Sequence, residues 1–308
     1  MILKYKDLST QVIIGGNLKT EEFAHYYASL AQRAVLYEVS TTPKPGLVDR
    51  DNNGAHKDMD FYTFMASSSV LYRGFYECIL EGLSFKEEDS TKLLDNIRKP
   101  GLHCEKAMFQ ATSGVNTHKG MIFSMGILCA AVGKLYEKDK NSNLTILNLC
   151  NEVKAMAKNL TTKDFENIHN KTELTHGEKL YKDFGLKGIR GEVESGFSTI
   201  QKNVLPLLMK WKVSKHLPLN ELFIEILFRL MAENDDTNVI TRAGIEGLQY
   251  TKDTAKAFLA QGGTCQPAFK EKIEDINKDF IEKNISPGGS ADLLSVSIFL
   301  AMIEGFLF

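Results

Sequence analysis

The sequence predicts an all-α fold, a single multi-helix domain over residues 1–308 with roughly ten or more helices. Two observations carry this expectation. Apolar residues recur at spacings of three and four along nearly the whole chain, and strand-like alternation is almost absent. The interruptions are polar knots rich in Gly, Pro, Asn and Asp, and no shift in composition divides the chain into halves.

Thr20 precedes "EEFAHYYASLAQRAVLYEV", acidic in its first turn and with Phe23, Tyr27, Leu30, Ala34 and Tyr37 on one stripe. That helix should stop just before Pro43. A second helix runs from about Asp60 to Gly82 on the stripe Phe61, Phe64, Met65, Ser68, Leu71, Tyr72 and Phe75. Two shorter helices are expected in "EEDSTKLLDNIRK" and "CEKAMFQAT", then a long one from near Thr117 through "GMIFSMGILCAAVGKLYEK". Beyond an Asn-rich turn, "LTILNLCNEVKAMAKNL" is amphipathic. Helices follow in "GEKLYKDFG", "EVESGFSTIQKNVLPLLMKW", "LNELFIEILFRLMAEN", "AGIEGLQYTKDTAKAFLA", "PAFKEKIEDINKDFIEK" and "SADLLSVSIFLAMIEGF", with Pro206 kinking or ending its own. "QVIIGG" is the only strand candidate, and residues 1–19 read as a peripheral N-terminal arm.

The net charge of −2 argues against a broad nucleic-acid or anionic-membrane surface. Cys78, Cys104, Cys129, Cys150 and Cys265 are odd in number and scattered without a CxxC pair, as expected of reduced thiols in the cytoplasm. The N-terminus lacks a secretory apolar core, and the apolar tail "LLSVSIFLAMIEGFLF" is shorter than a membrane span and interrupted by Glu304.

The chemistry is expected in the knots. "TTPKPGLVDRDNNGAHKDMD" is a long loop stiffened by prolines and anchored by Leu47 and Val48, which suits an ordered site. "GVNTHKG" opens a helix, where free N–H groups and Lys119 can meet an anion. "THGEKLYKDFGLKGIRGE" sets glycines around Arg190, "ENDDTNVITRAG" is an acidic turn leading to Arg242, and "SPGGSAD" is a Gly-Gly turn, most simply a helix N-cap through Ser290 with Asp292 favoured by the helix dipole. A P-loop reading of "GEVESGFS" fails because Phe197 stands where lysine is required. Taken together, Lys44, Lys57, Lys119, Arg190 and Arg242 offer cations, and Asp49, Asp58, Glu192, Asp235 and Asp236 offer carboxylates in the same knots. Polyphosphate with magnesium wants this mixture, so a phosphorylated or nucleotide ligand is expected.

The blocks "YEVSTTPKPGLVDRDNNGAHKDMDF", "GVNTHKGMIFSMGIL", "HGEKLYKDFGLKGIRGEVESGF", "DDTNVITRAG" and "SPGGSADLLSVSIFL" resemble those of the triphosphoribosyl-dephospho-CoA synthase (CitG) family. They run in family order from about residue 30 to the C-terminus. The resemblance implies an all-α pentosyltransferase using ATP, 3′-dephospho-CoA and magnesium. It would attach the triphosphoribosyl group to the acceptor ribose 2′-hydroxyl and release adenine. The product is the prosthetic-group precursor for the citrate lyase acyl carrier protein, passed to a separate loading transferase; the malonate decarboxylase branch makes the same precursor.

On this resemblance Lys44, Gly46, Lys57, His118, Lys119, Arg190 and Arg242 are expected at the phosphates, with Gly288, Gly289 and Ser290 giving backbone donors. Asp49 and Asp58 are expected as magnesium ligands or base, Glu192 as a magnesium ligand, and Asp235 or Asp236 as magnesium ligand or oxocarbenium stabiliser. His56 is the candidate donor to adenine or a phosphate. A magnesium-dependent nucleotide hydrolase and a non-catalytic binding module are the other classes this pattern allows, and a homodimer is one assembly it allows.

Overall fold

In a computed structural model, residues 20–140, 144–166, 174 and 176–307 are described; the candidate strand and N-terminal arm lie outside them. The regular secondary structure of the described residues is all helix, with no strand. The order is α1 (Thr20–Ser40), α2 (Phe61–Ser84), a 3-10 turn (Ser90–Lys92), α3 (Leu93–Ala111), α4 (Lys119–Lys138) and α5 (Ile146–Met156). Then come α6 (Leu160–Phe165), α7 (His176–Phe184), α8 (Gly188–Ser195), α9 (Ser198–Asn203) and α10 (Leu205–Ser214). The chain ends with α11 (Leu219–Glu233), α12 (Thr237–Ala260), a 3-10 turn (Gly263–Cys265), α13 (Phe269–Glu282) and α14 (Gly288–Ile303).

The core forms around α4, with α1, α2, α3, α5 and α14 packed on it. Among the described residues α4 is long and apolar enough to cross a membrane, yet most of it is buried inside the protein. Its closest neighbour is α2. A Cβ on Gly82 would lie 2.1 Å from the Ala130 carbonyl, and one on Gly133 would lie 2.2 Å from that of Ile79. The glycines therefore let two backbones meet where any side chain would hold them apart. α11 closes the core against α12 and α14, through Phe228 stacked on Phe258 at 4.0 Å.

Three element boundaries depart from expectation. The two helices expected around Pro100 are one, α3, because Leu93, Ile97, Pro100, Cys104 and Met108 bury a continuous face that outweighs the lost N–H. The run from Glu192 to Trp211 is broken instead into α8, α9 and α10. Gly196 (φ 73°) stands in the left-handed region, and a Cβ there would strike the Cys150 carbonyl at 2.4 Å. A short helical run from Thr237, capped by Asp236 through the Asn238 and Val239 N–H groups, precedes the expected helix, and Gly244 (φ 71°) breaks α12 between the two.

Candidate active site

The loop after α1 is ordered by its own charges. The Lys44 ammonium donates to the Glu38 carbonyl at 2.9 Å and to the Glu38 carboxylate at 2.5 Å, both side chains being buried. Burial raises the Glu38 carboxyl and Lys44 opposes that shift. The Asp49 carboxylate accepts from the N–H groups of Lys44 (2.8 Å), Asp51 (2.8 Å) and Asn52 (3.0 Å). Gly46 adopts φ 72° where a Cβ would strike the Ile285 carbonyl, and its N–H donates to Asn277. Lys44 and Gly46, expected at phosphate, thus tie the loop to α1 and α13, and Asp49, expected at metal, ties it to itself.

Helix N-termini converge beneath this loop. The Asp236 carboxylate caps α12 and also accepts from the Gly289 N–H (3.1 Å), the Ser290 N–H (2.8 Å) and the Ser290 hydroxyl (3.0 Å). One acid therefore clasps the first turns of α12 and α14. This corrects two expectations. The Gly289 and Ser290 donors are taken by Asp236, and the Gly288 N–H by the Ser286 carbonyl, so none is left for phosphate. Pro287 is the N-cap of α14, and Ser290 stands inside its first turn.

Asp292, one turn further on, reaches the start of α4. A Cβ on Gly120 would lie 2.3 Å from Asp292 Oδ2, so only glycine admits the carboxylate there. Asp292 keeps part of its surface open. Burial, together with the nearby Glu38 and Asp236 acids, raises its carboxyl well above the usual range, against a downward pull from the Met121 N–H. Sequence reasoning takes Asp292 for a helix-dipole residue, because its contact with Gly120 is tertiary and leaves no local signal. The α8 N-terminus joins the group, with the Cβ position of Gly188 2.7 Å from Thr237.

Both knot histidines are present. His118 is buried, with Nδ1 2.6 Å from the Ser67 hydroxyl, and burial together with Lys44 pushes it down to about 3. A neutral imidazole is not the phosphate cation expected. Its Nε2 is buried and finds no hydrogen-bond partner among the described residues, and the Nδ1 of His56 lies 3.7 Å from the Asp58 carboxylate. His56 Nε2 meets the Ser286 hydroxyl at 2.8 Å, and burial and Arg242 lower its affinity for a proton, opposed by Asp58. Arg242 is committed to the loop, donating to the Ala55 carbonyl (2.5 Å) and to Asn284 (2.7 Å).

Because the folded His118 titrates near 3 and an unfolded histidine near 6.5, the unfolded chain binds more protons between these values. Stability at this residue is therefore present at neutral pH and lost on acidification, with a slope of up to about 1.4 kcal/mol per pH unit. Urea unfolding at pH 7 and pH 4.5 is expected to show a smaller acid loss in His118→Gln than in the parent. Equal losses would remove His118 as the cause.

Lys57 and Asp58 are exposed, and Lys57 is unpaired among the described residues. Lys119 meets Glu105 and Arg190 meets Asp164, each at 2.6 Å. Asp235 is exposed and pairs with Lys252 at 2.6 Å, and Glu192 accepts from Thr199 at 2.6 Å. Burial raises the Glu192 carboxyl, with Asp235 adding to the shift. The expected magnesium ligands are thus dispersed or already occupied, and no group of three or more His, Cys, Asp or Glu suited to a metal ion occurs among the described residues. The described residues offer no preformed cluster for a resident magnesium ion.

Lys119, Gly120 and Arg190 also line a cavity of about 770 Å³ between α3, α4, α6 and α8. Helix N-termini gathered on deep acids beside a cation-rimmed cavity suit group transfer on an anionic substrate, and the chain is a transferase. Residues 24–307 match the family model described as CitG, ATP:dephospho-CoA triphosphoribosyl transferase, and the chain belongs to this family. It is 40% identical over 276 residues to a protein of Photobacterium profundum, covering 90% of this chain and 87% of that one. It is 42% identical over 278 residues to one of Citrobacter koseri, covering 90% of each. Both carry the name "Probable 2-(5''-triphosphoribosyl)-3'-dephosphocoenzyme-A synthase". No solved structure matches the chain.

Proposed function

We propose that the chain joins the triphosphoribosyl group of ATP to the ribose 2′-hydroxyl of 3′-dephospho-CoA and releases adenine. The product would supply the prosthetic group of the citrate lyase acyl carrier protein through a separate loading transferase, in the cytoplasm. The observation that carries the chemistry is Asp292, a deep but partly open acid whose approach to the α4 N-terminus only glycine at 120 permits.

Asp292 enters protonated and gives its proton to adenine as the C1′–N bond breaks, its electron pair leaving with the base. The carboxylate so formed faces the cationic ribose. It then accepts the proton of the 2′-hydroxyl as the new C1′–O bond forms, which returns the acid to its starting state. Lys57, Lys119 and Arg190 hold the triphosphate; Asp49 and Asp236 act as positioning residues for the loop and helix ends. Chromatography of a reaction with ATP, magnesium and 3′-dephospho-CoA tests this. Free adenine dependent on the acceptor, with a matching heavier CoA product, is the expected result; ADP or AMP formed regardless of acceptor would overturn it.

A further inference from the structure

We propose that the cavity between α3, α4, α6 and α8 is the acceptor subsite, taking the diphosphate and pantetheine arm of 3′-dephospho-CoA. This rests on the transferase reading above. The cavity is amphipathic by construction. Residues 94, 98, 101 and 105 of α3 and 119, 122, 123, 126 and 127 of α4 recur at helical spacing and present two facing walls. Ile97, Ile122, Phe123 and Ile189 make its surface apolar.

Besides Lys119 and Arg190, which the donor's triphosphate takes, its lining carries Lys92, Arg98, Lys158 and Lys163. Arg98 and Lys158 are exposed and have no ion-pair partner among the described residues, so their charge is available to an anion.

The shape separates the two substrates. From Gly120 to Ile127, α4 supplies about 10 Å of wall leading away from the helix N-terminus beside Asp292. A triphosphate gains nothing from an apolar wall. The pantetheine arm is the one long, uncharged part of either substrate, and the diphosphate next to it meets the rim cations. An acceptor lying along this wall leaves its ribose end toward Gly120 and Asp292, where the new bond forms. The volume of about 770 Å³ also falls within the range of sites that enclose a large organic ligand.

Gly101 offers a direct test, because it lines the cavity and a Cβ there would meet nothing within 4 Å. Gly101→Trp therefore starts from an open Cβ position and puts a bulky side chain on the cavity wall, and replacing a mid-helix glycine favours the helix. The measurement is calorimetric binding of 3′-dephospho-CoA and, separately, of ATP to the full chain. Gly101→Trp is expected to abolish acceptor binding, and Arg98→Glu with Lys158→Glu to weaken it about tenfold. ATP affinity should change by less than about twofold in either variant.

Unchanged acceptor affinity in Gly101→Trp would overturn the assignment, and loss of ATP binding instead would give the cavity to the donor. These binding readouts stand apart from turnover. If the unsubstituted protein binds both compounds yet releases no adenine, the reaction reading fails and the subsite does not.

Discussion

Asp292→Asn is expected to lower kcat by about a thousandfold while leaving the helical circular dichroism intact. The carboxamide keeps the volume beside Gly120, but it neither gives a proton to adenine nor faces a cationic ribose with negative charge. The same substitution should alter the pH dependence of stability in a definite direction. The folded carboxyl of Asp292 is raised, so its contribution is fully present below the unfolded carboxylate value of about 4 and is lost as pH rises toward the folded one. The Asn variant has no such loss, and its stability relative to the parent should therefore grow from acid to neutral pH. Near-normal turnover in Asp292→Asn would remove the residue from the reaction.

Lys44→Met is expected to destabilise the fold by about 3–5 kcal/mol, since it strands the Glu38 carboxylate in a buried setting. The loss should shrink on acidification, because a protonated Glu38 no longer needs its partner. A double variant with Glu38→Met should recover much of the stability, as apolar replacements of buried pairs commonly do. Without the Lys44 charge, His118 should also bind its proton more readily, a shift visible in its ring resonances. Urea midpoints for the single and double variants test this; a single variant as stable as the parent would mean the pair contributes no net attraction.

The architecture was largely legible because apolar spacing reports burial directly. The stripe from Phe61 to Phe75 is the face by which α2 enters the core, and Thr20 begins α1 as its position before two acids suggests. Boundaries failed where tertiary packing overrode a local signal: Pro100 is carried through a helix by the buried face on either side of it, while Gly196 stops one. The polar knots themselves were legible, since Gly-, Pro- and Asn-rich interruptions of the apolar spacing mark where helices end. Individual duties were not legible. Asp49 turns to the N–H groups of its own loop, and whether Asp236 does likewise depends on where the distant α14 N-terminus arrives, which sequence spacing does not encode. Asp292 was missed for the opposite reason: one acid at the start of an apolar helix looks like ordinary dipole compensation until Gly120 is seen against it.

Asp236 holds the first turns of α12 and α14 in one buried carboxylate, with backbone partners at Gly289 and Ser290. Those amide hydrogens have no route to solvent through fraying of a single helix, because releasing either turn means breaking the clasp on both. Their exchange should follow the slowest, whole-molecule opening, while amides of the more exposed 50–58 segment exchange through local excursions. The clasp would then register as a slowly exchanging patch at two helix ends, set against faster exchange across residues 50–58.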